Sequence, residues 1–74
     1  DEFVRGNFAK AEELYLEFVE KHPDNIIALA NLGVAQFRQG KLTAAQLALE
    51  RAVKAAPNDA FSLTTLGAVL IEQG

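Results

Sequence analysis

Residues 26–59 read IIALANLGVAQFRQGKLTAAQLALERAVKAAPND, and this stretch decides the fold. Leu29, Leu32, Gly33, Gln39 and Gly40 return 34 residues later as Leu63, Leu66, Gly67, Gln73 and Gly74. The same step runs backwards from Gly40 to Gly6, Ala45 to Ala11, Val53 to Val19 and Pro57 to Pro23. A period of this length marks one helical supersecondary unit that cannot bury its apolar face alone, so successive copies stack. The chain divides accordingly: 1–25 is the end of one unit, 26–59 a complete unit, and 60–74 the first helix of the next. It reads as a single segment excerpted from a longer array.

The local signals agree. Phe8, Ala11, Leu14, Tyr15, Phe18 and Val19 recur at steps of three and four, an apolar stripe on a helix from Phe8 to Lys21. Gly6 and Asn7 predict a break ahead of it, with Asn7 as the N-cap. Pro23 stops propagation and begins a turn through Asn25. A helix from Ile26 to Gln39 follows, closed by Gly40 in a left-handed C-terminal cap. Next comes a helix from Leu42 to Ala55, burying Leu42, Ala45, Leu49, Ala52 and Val53. Pro57-Asn58-Asp59 repeats the turn, and Ala60 to Gln73 repeats the helix that precedes a glycine. Inside helices, Gly33 and Gly67 each cost about 1 kcal/mol relative to alanine. Such a cost points to close helix contact, with Ala45 and Ala11 as the small residues opposite and Leu29, Leu32, Leu49 and Phe18 around them.

Composition narrows the chemistry. Seven basic and ten acidic residues leave a net charge of −3, which supplies no field to draw in a nucleic-acid backbone. Glu12, Glu13, Glu17 and Glu20 make the first helix acidic, while Arg38, Lys41, Arg51 and Lys54 make the middle basic; both read as solvated faces. No run approaches the ~18 apolar residues of a membrane span, and Asp1-Glu2-Phe3-Val4-Arg5 is not a signal peptide. The compartment stays open, with a soluble, cytoplasmic setting favoured. With one histidine, one serine and no cysteine, neither a Ser-His-Asp nor a Cys-His arrangement is available, nor a thiolate zinc site. His22 reads as a helix-end residue, and the glutamates as surface rather than a metal site. Gly33 and Gly40-Lys41 are spaced too widely, and on a helix, for a phosphate-binding loop. No catalytic residue, cofactor or metal is assigned.

The order Leu29, Leu32-Gly33, Phe37, Gly40, Ala45, Leu49, Ala52, Pro57 resembles the tetratricopeptide repeat. Gly6, Phe8, Ala11, Tyr15 and Pro23 carry the likeness before it, and Leu63, Leu66-Gly67, Leu70 and Gly74 after it. Two positions depart from the family: Phe18 fills a slot usually held by alanine, and Gln36 one usually held by tyrosine. Gln36 either turns its amide to an interior partner or marks a looser contact. The resemblance implies an all-α fold, with antiparallel helix-turn-helix repeats stacked as a right-handed α-solenoid. It also implies a concave groove lined by the first helix of each unit. The groove residues would be Ile27, Ala30, Asn31, Val34, Phe37 and Arg38, continued by Phe61, Thr64, Thr65, Ala68, Ile71 and Glu72. Relatives that clamp a carboxylate use lysine, arginine and asparagine there; only Asn31 and Arg38 serve, so an apolar peptide or partner helix is expected instead.

Three function classes follow: a non-catalytic protein-interaction scaffold, a self-assembling structural element, and a regulatory segment of a larger enzyme. The first is preferred. The second rests on uncovered end faces, Phe8, Tyr15 and Phe18 at one end and Leu66, Val69 and Leu70 at the other, which would bind a second copy or neighbouring repeats of the same chain.

Overall fold

The computed structural model describes residues 2–74, with side chains from Asn7 onward. Four helices follow one another: α1 (Glu2–Lys21), α2 (Ile26–Arg38), α3 (Leu42–Ala55) and α4 (Ala60–Gln73). Consecutive helices pack side by side, α2 lies between α1 and α3, and α4 rests on α3 and more lightly on α2. The result is a slab of 34 × 32 × 17 Å with no strand among the described residues. It is all-α, built of antiparallel helix-turn-helix units stacked as an α-solenoid.

The turns explain themselves residue by residue. Asn25 precedes α2 with extended backbone, and its Oδ1 accepts from the Ala28 amide at 2.9 Å. One period later Asp59 does the same for α4, accepting from the Ser62 amide at 3.1 Å and from the Ser62 hydroxyl. These N-caps satisfy donors that a helix start leaves free. Asn25→Ala should therefore cost about 1 kcal/mol of unfolding free energy, read by urea denaturation. At the other end of α2, Gly40 takes φ +80°, the Gly40 amide donates to Phe37 O at 2.9 Å and the Lys41 amide to Gln36 O at 2.9 Å. This paired C-cap closes α2 at Arg38, one residue short of the expected Gln39.

The expected break at Gly6-Asn7 does not occur. α1 runs unbroken from Glu2 through both residues, so Asn7 lies inside the helix rather than capping it. A glycine costs a helix about 1 kcal/mol but does not stop it when the neighbours propagate. Stopping at Gly40 has further support, because Gln39 and Lys41 beside it are tied by side-chain hydrogen bonds to α1.

Two apolar clusters fill the slab. Val19, Ala28, Leu29, Leu32, Ala48 and Ala52 form one, with Tyr15 and Ile26 against it. Ala30, Ala45, Leu49 and Val69 form the other, with Phe37, Leu42 and Leu66 against it. Gly33 sits where α2 crosses α3: a Cβ there would stand 2.6 Å from Leu49 Cγ. The close neighbour is thus the Leu49 side chain rather than Ala45. Gly67, expected to make the same approach, has nothing within 4 Å of a Cβ. Phe18 is 44% exposed and lies outside the buried clusters around Gly33.

Candidate protein-binding surface

The slots shared by α2 and α4 show which expected groove residues face outward. Ile27 is 73% exposed and its counterpart Phe61 is 52% exposed. Arg38 and Glu72 are likewise exposed, whereas Asn31, Val34, Thr65 and Ala68 are half-buried along the same stripe. Thr64 and Ile71 are exposed on α4, yet their counterparts on α2 are not free. Ala30 is only 2% exposed and Phe37 packs on the Ala30–Val69 cluster. Both therefore also take part in stacking against α4: Phe37 is half-buried, and Ala30 lines the floor of a pocket. A single helical wheel cannot separate the two roles, because the angle that faces the groove adjoins the angle that faces the next unit.

Two small pockets flank α2. One, of about 160 Å³, lies towards α4 and is lined by Ile26, Ile27, Ala30, Asn31, Asp59 and Phe61. The other, of about 150 Å³, lies towards α1 and is lined by Phe8, Ala11, Tyr15, Asn31, Val34 and Ala35. Asn31 belongs to both and sets a carboxamide between two apolar recesses.

The uncovered ends also need correction. Phe8 and Tyr15 are half-buried and Phe18 is exposed, its ring 4.6 Å from that of His22. At the far end Leu70 is exposed and Leu66 half-buried, but Val69 is fully buried in the second cluster and cannot serve as a contact. Leu63, outside the face expected from the sequence, is exposed as Leu70 is.

Gln36 does find an interior partner, and it is Glu12, one of the residues read as solvated. The Gln36 amide donates to Glu12 Oε2 at 3.2 Å, Gln39 donates to Oε1 at 3.0 Å, and Lys41 Nζ meets Oε1 at 2.7 Å. Gln36 Oε1, turned the other way, is buried without a partner among the described residues. The Lys41 hydrogen bond holds the Glu12 carboxyl below the ordinary glutamate range; burial opposes it, and the Gln36 and Gln39 amides assist. A depressed carboxyl pKa gives stability that is complete above the unfolded-state value and is lost as pH falls through the folded one. Glu12→Gln should thus lower stability at neutral pH, with the difference from the parent chain vanishing in strong acid. Denaturation free energies across that range check it.

Among the described residues no group of His, Asp and Glu is placed to hold a metal, and no helix is long and apolar enough to cross a membrane. No curated protein matches the chain. The family model described as tetratricopeptide repeat matches residues 1–60. With that match and its stacked antiparallel helix pairs, the chain belongs to the tetratricopeptide repeat family, whose repeats serve generally as protein–protein interaction scaffolds.

Proposed function

We propose that this segment is a non-catalytic interaction module that receives an extended, mainly apolar peptide across the stripe formed by α2 and α4. One observation carries the reading: the slot of Ile27 and Phe61 is filled by a large apolar side chain in both units and stays exposed in both. The two copies control for each other. Phe61 remains open although α2 lies on its earlier side, and Ile27 remains open although α4 lies on its later side. Neither residue contributes a buried side chain to the clusters that hold the helices together. Between them the pocket over Ala30 and Asn31 provides a recess for one apolar side chain and an amide for a peptide backbone. Arg38 and Glu72 at the other end of the stripe do not make a paired cationic clamp, so a terminal carboxylate is not the feature recognised.

The test is selection of binders from a random peptide display library, followed by NMR titration of one selected peptide. Enriched sequences should place apolar side chains at alternate positions, and shift changes should gather on Ile27, Asn31, Phe61 and Thr65. Failure to enrich any sequence, or shifts confined to α1 or the outer face of α3, would count against the reading.

A further inference from the structure

The seam between α1 and α2 is apolar along one part and polar at one end. Ala28, Leu32 and Gln36 follow one another at steps of four, so they form one row along α2, and all three are buried. Val19 of α1 packs into the cluster of Ala28, Leu29 and Leu32, with Tyr15 against it. Seven residues before Val19, Glu12 meets the last member of the row. Its Oε2 accepts from Gln36 Nε2 at 3.2 Å, and its Oε1 accepts from Gln39 Nε2 at 3.0 Å and from Lys41 Nζ at 2.7 Å. Gln39 Nε2 also reaches Phe8 O at 3.3 Å and Ala35 O at 2.9 Å. The cluster joins the second helix of one unit to the first helix and the turn of the next, and all its members are described.

Apolar packing by itself does not fix where α1 sits along α2. A slip of one helical turn, about 5.4 Å, trades one apolar neighbour in the row for another. The polar group does not tolerate such a slip. One turn back along α2 the carboxylate would face Leu32 and leave its donors behind, and a buried charge without partners is costly. The second unit carries different residues at these slots: Leu70 stands where Gln36 does, and Gln46 stands where Glu12 does, its amide donating to Glu50 Oε2 at 3.0 Å. Stability alone does not account for Gln36, whose Oε1 is buried with no partner among the described residues.

We propose that Glu12 and Gln36 are positioning residues that encode the pairing of successive units. The carboxylate on α1 selects a following unit that carries Gln36, Gln39 and Lys41, rejects one with leucine at the Gln36 slot, and fixes the register at which the two stack. Order and register then come from these polar residues, while the apolar clusters supply most of the stability. A single buried polar residue sets register in paired helices by the same logic. The proposal concerns how units stack and is independent of the peptide reading.

Urea denaturation, carboxyl-carbon NMR titration and amide NMR spectra of four variants test it. Gln36→Leu sets the second unit's residue opposite Glu12, so it should lower the urea midpoint at neutral pH and raise the pH at which Glu12 titrates. Glu12→Gln/Gln36→Leu installs both of the second unit's residues. It should be no less stable than Gln36→Leu alone, although Glu12→Gln by itself is destabilising. Glu12→Leu/Gln36→Leu makes the seam apolar throughout. Its midpoint should equal or exceed that of the parent chain, but α1 should give doubled or broadened amide signals and a weakened Overhauser contact between the Gln39 side-chain amide and Phe8. Midpoint changes that simply add across Glu12→Gln, Gln36→Leu and their double variant would overturn the pairing. A single sharp set of α1 signals in the apolar variant, with the Gln39–Phe8 contact intact, would overturn the register. An apolar variant that fails to fold would also contradict the proposal, because the cluster would then be a source of stability rather than of register.

Discussion

Leu49→Ala is expected to lower the unfolding free energy by about 3–5 kcal/mol, because the side chain is fully buried and its loss leaves a cavity between α2, α3 and α4. At 0.05–0.15 kcal/mol per residue a chain of this length holds only about 4–11 kcal/mol in total, so the variant should be close to unfolding at room temperature. Gly33→Ala acts on the same spot from the other side. Its Cβ would stand 2.6 Å from Leu49 Cγ, and overpacking of about 1–3 kcal/mol outweighs or cancels the gain of about 1 kcal/mol in helix propensity. In the Leu49→Ala background the obstruction is gone, and the same substitution should become stabilising by about 1 kcal/mol. Gly67→Ala supplies the control: nothing stands within 4 Å, so it should stabilise by about 1 kcal/mol at concentrations where the chain is monomeric. Urea denaturation of the parent and these variants measures all of these effects. Additive effects of Gly33→Ala and Leu49→Ala would mean that the two residues do not meet.

The period made most of this legible. Repetition of Pro23 and Pro57, of Gly40 and Gly74, and of the Leu-Gly pairs located the turns and the buried sides of α2 and α3, since those depend on local chemistry and helical spacing. Asn25 and Asp59 carry the cap signal at the same slot in two units, but each follows a proline that marks its stretch first as a turn, and Asn7, next to a glycine, carries the same residue-type signal without the break. Gly6 is carried through by the helix around it, whereas Gly40 turns into the left-handed region and its neighbours Gln39 and Lys41 are tied to α1. Val69, expected on an end face, is fully buried, and Ala30 and Phe37 combine an expected groove position with packing between units, for a related reason. Whether an apolar residue on the first helix faces the groove or the next unit depends on stacking between units, which no single helix encodes. Glu12 was hidden in an acidic run, but the polar Gln36 in an otherwise apolar slot was the signal that some partner had to reach it.

The second large effect concerns binding. Ile27→Ser combined with Phe61→Ser removes two large apolar side chains from the rim of the α2–α4 recess. Apolar anchors at the centre of an interface commonly contribute about 2 kcal/mol each, equivalent to about thirtyfold in affinity per residue. The fold should hardly notice, because both side chains are more than half exposed and surface substitutions usually change stability by about 0.5 kcal/mol or less. Val34 and Phe37 are poorer choices for this purpose, since Phe37 packs on the cluster around Leu49 and Val69 and its loss would damage the fold as well.

The most direct measurement is therefore the dissociation constant of one library-selected apolar peptide for the parent chain and for Ile27→Ser/Phe61→Ser, by isothermal calorimetry at matched helicity. An interaction module that uses the exposed slot shared by α2 and α4 should lose at least about a hundredfold in affinity while its thermal midpoint stays put. Equal affinity in the two proteins would contradict the assignment of this surface to partner binding.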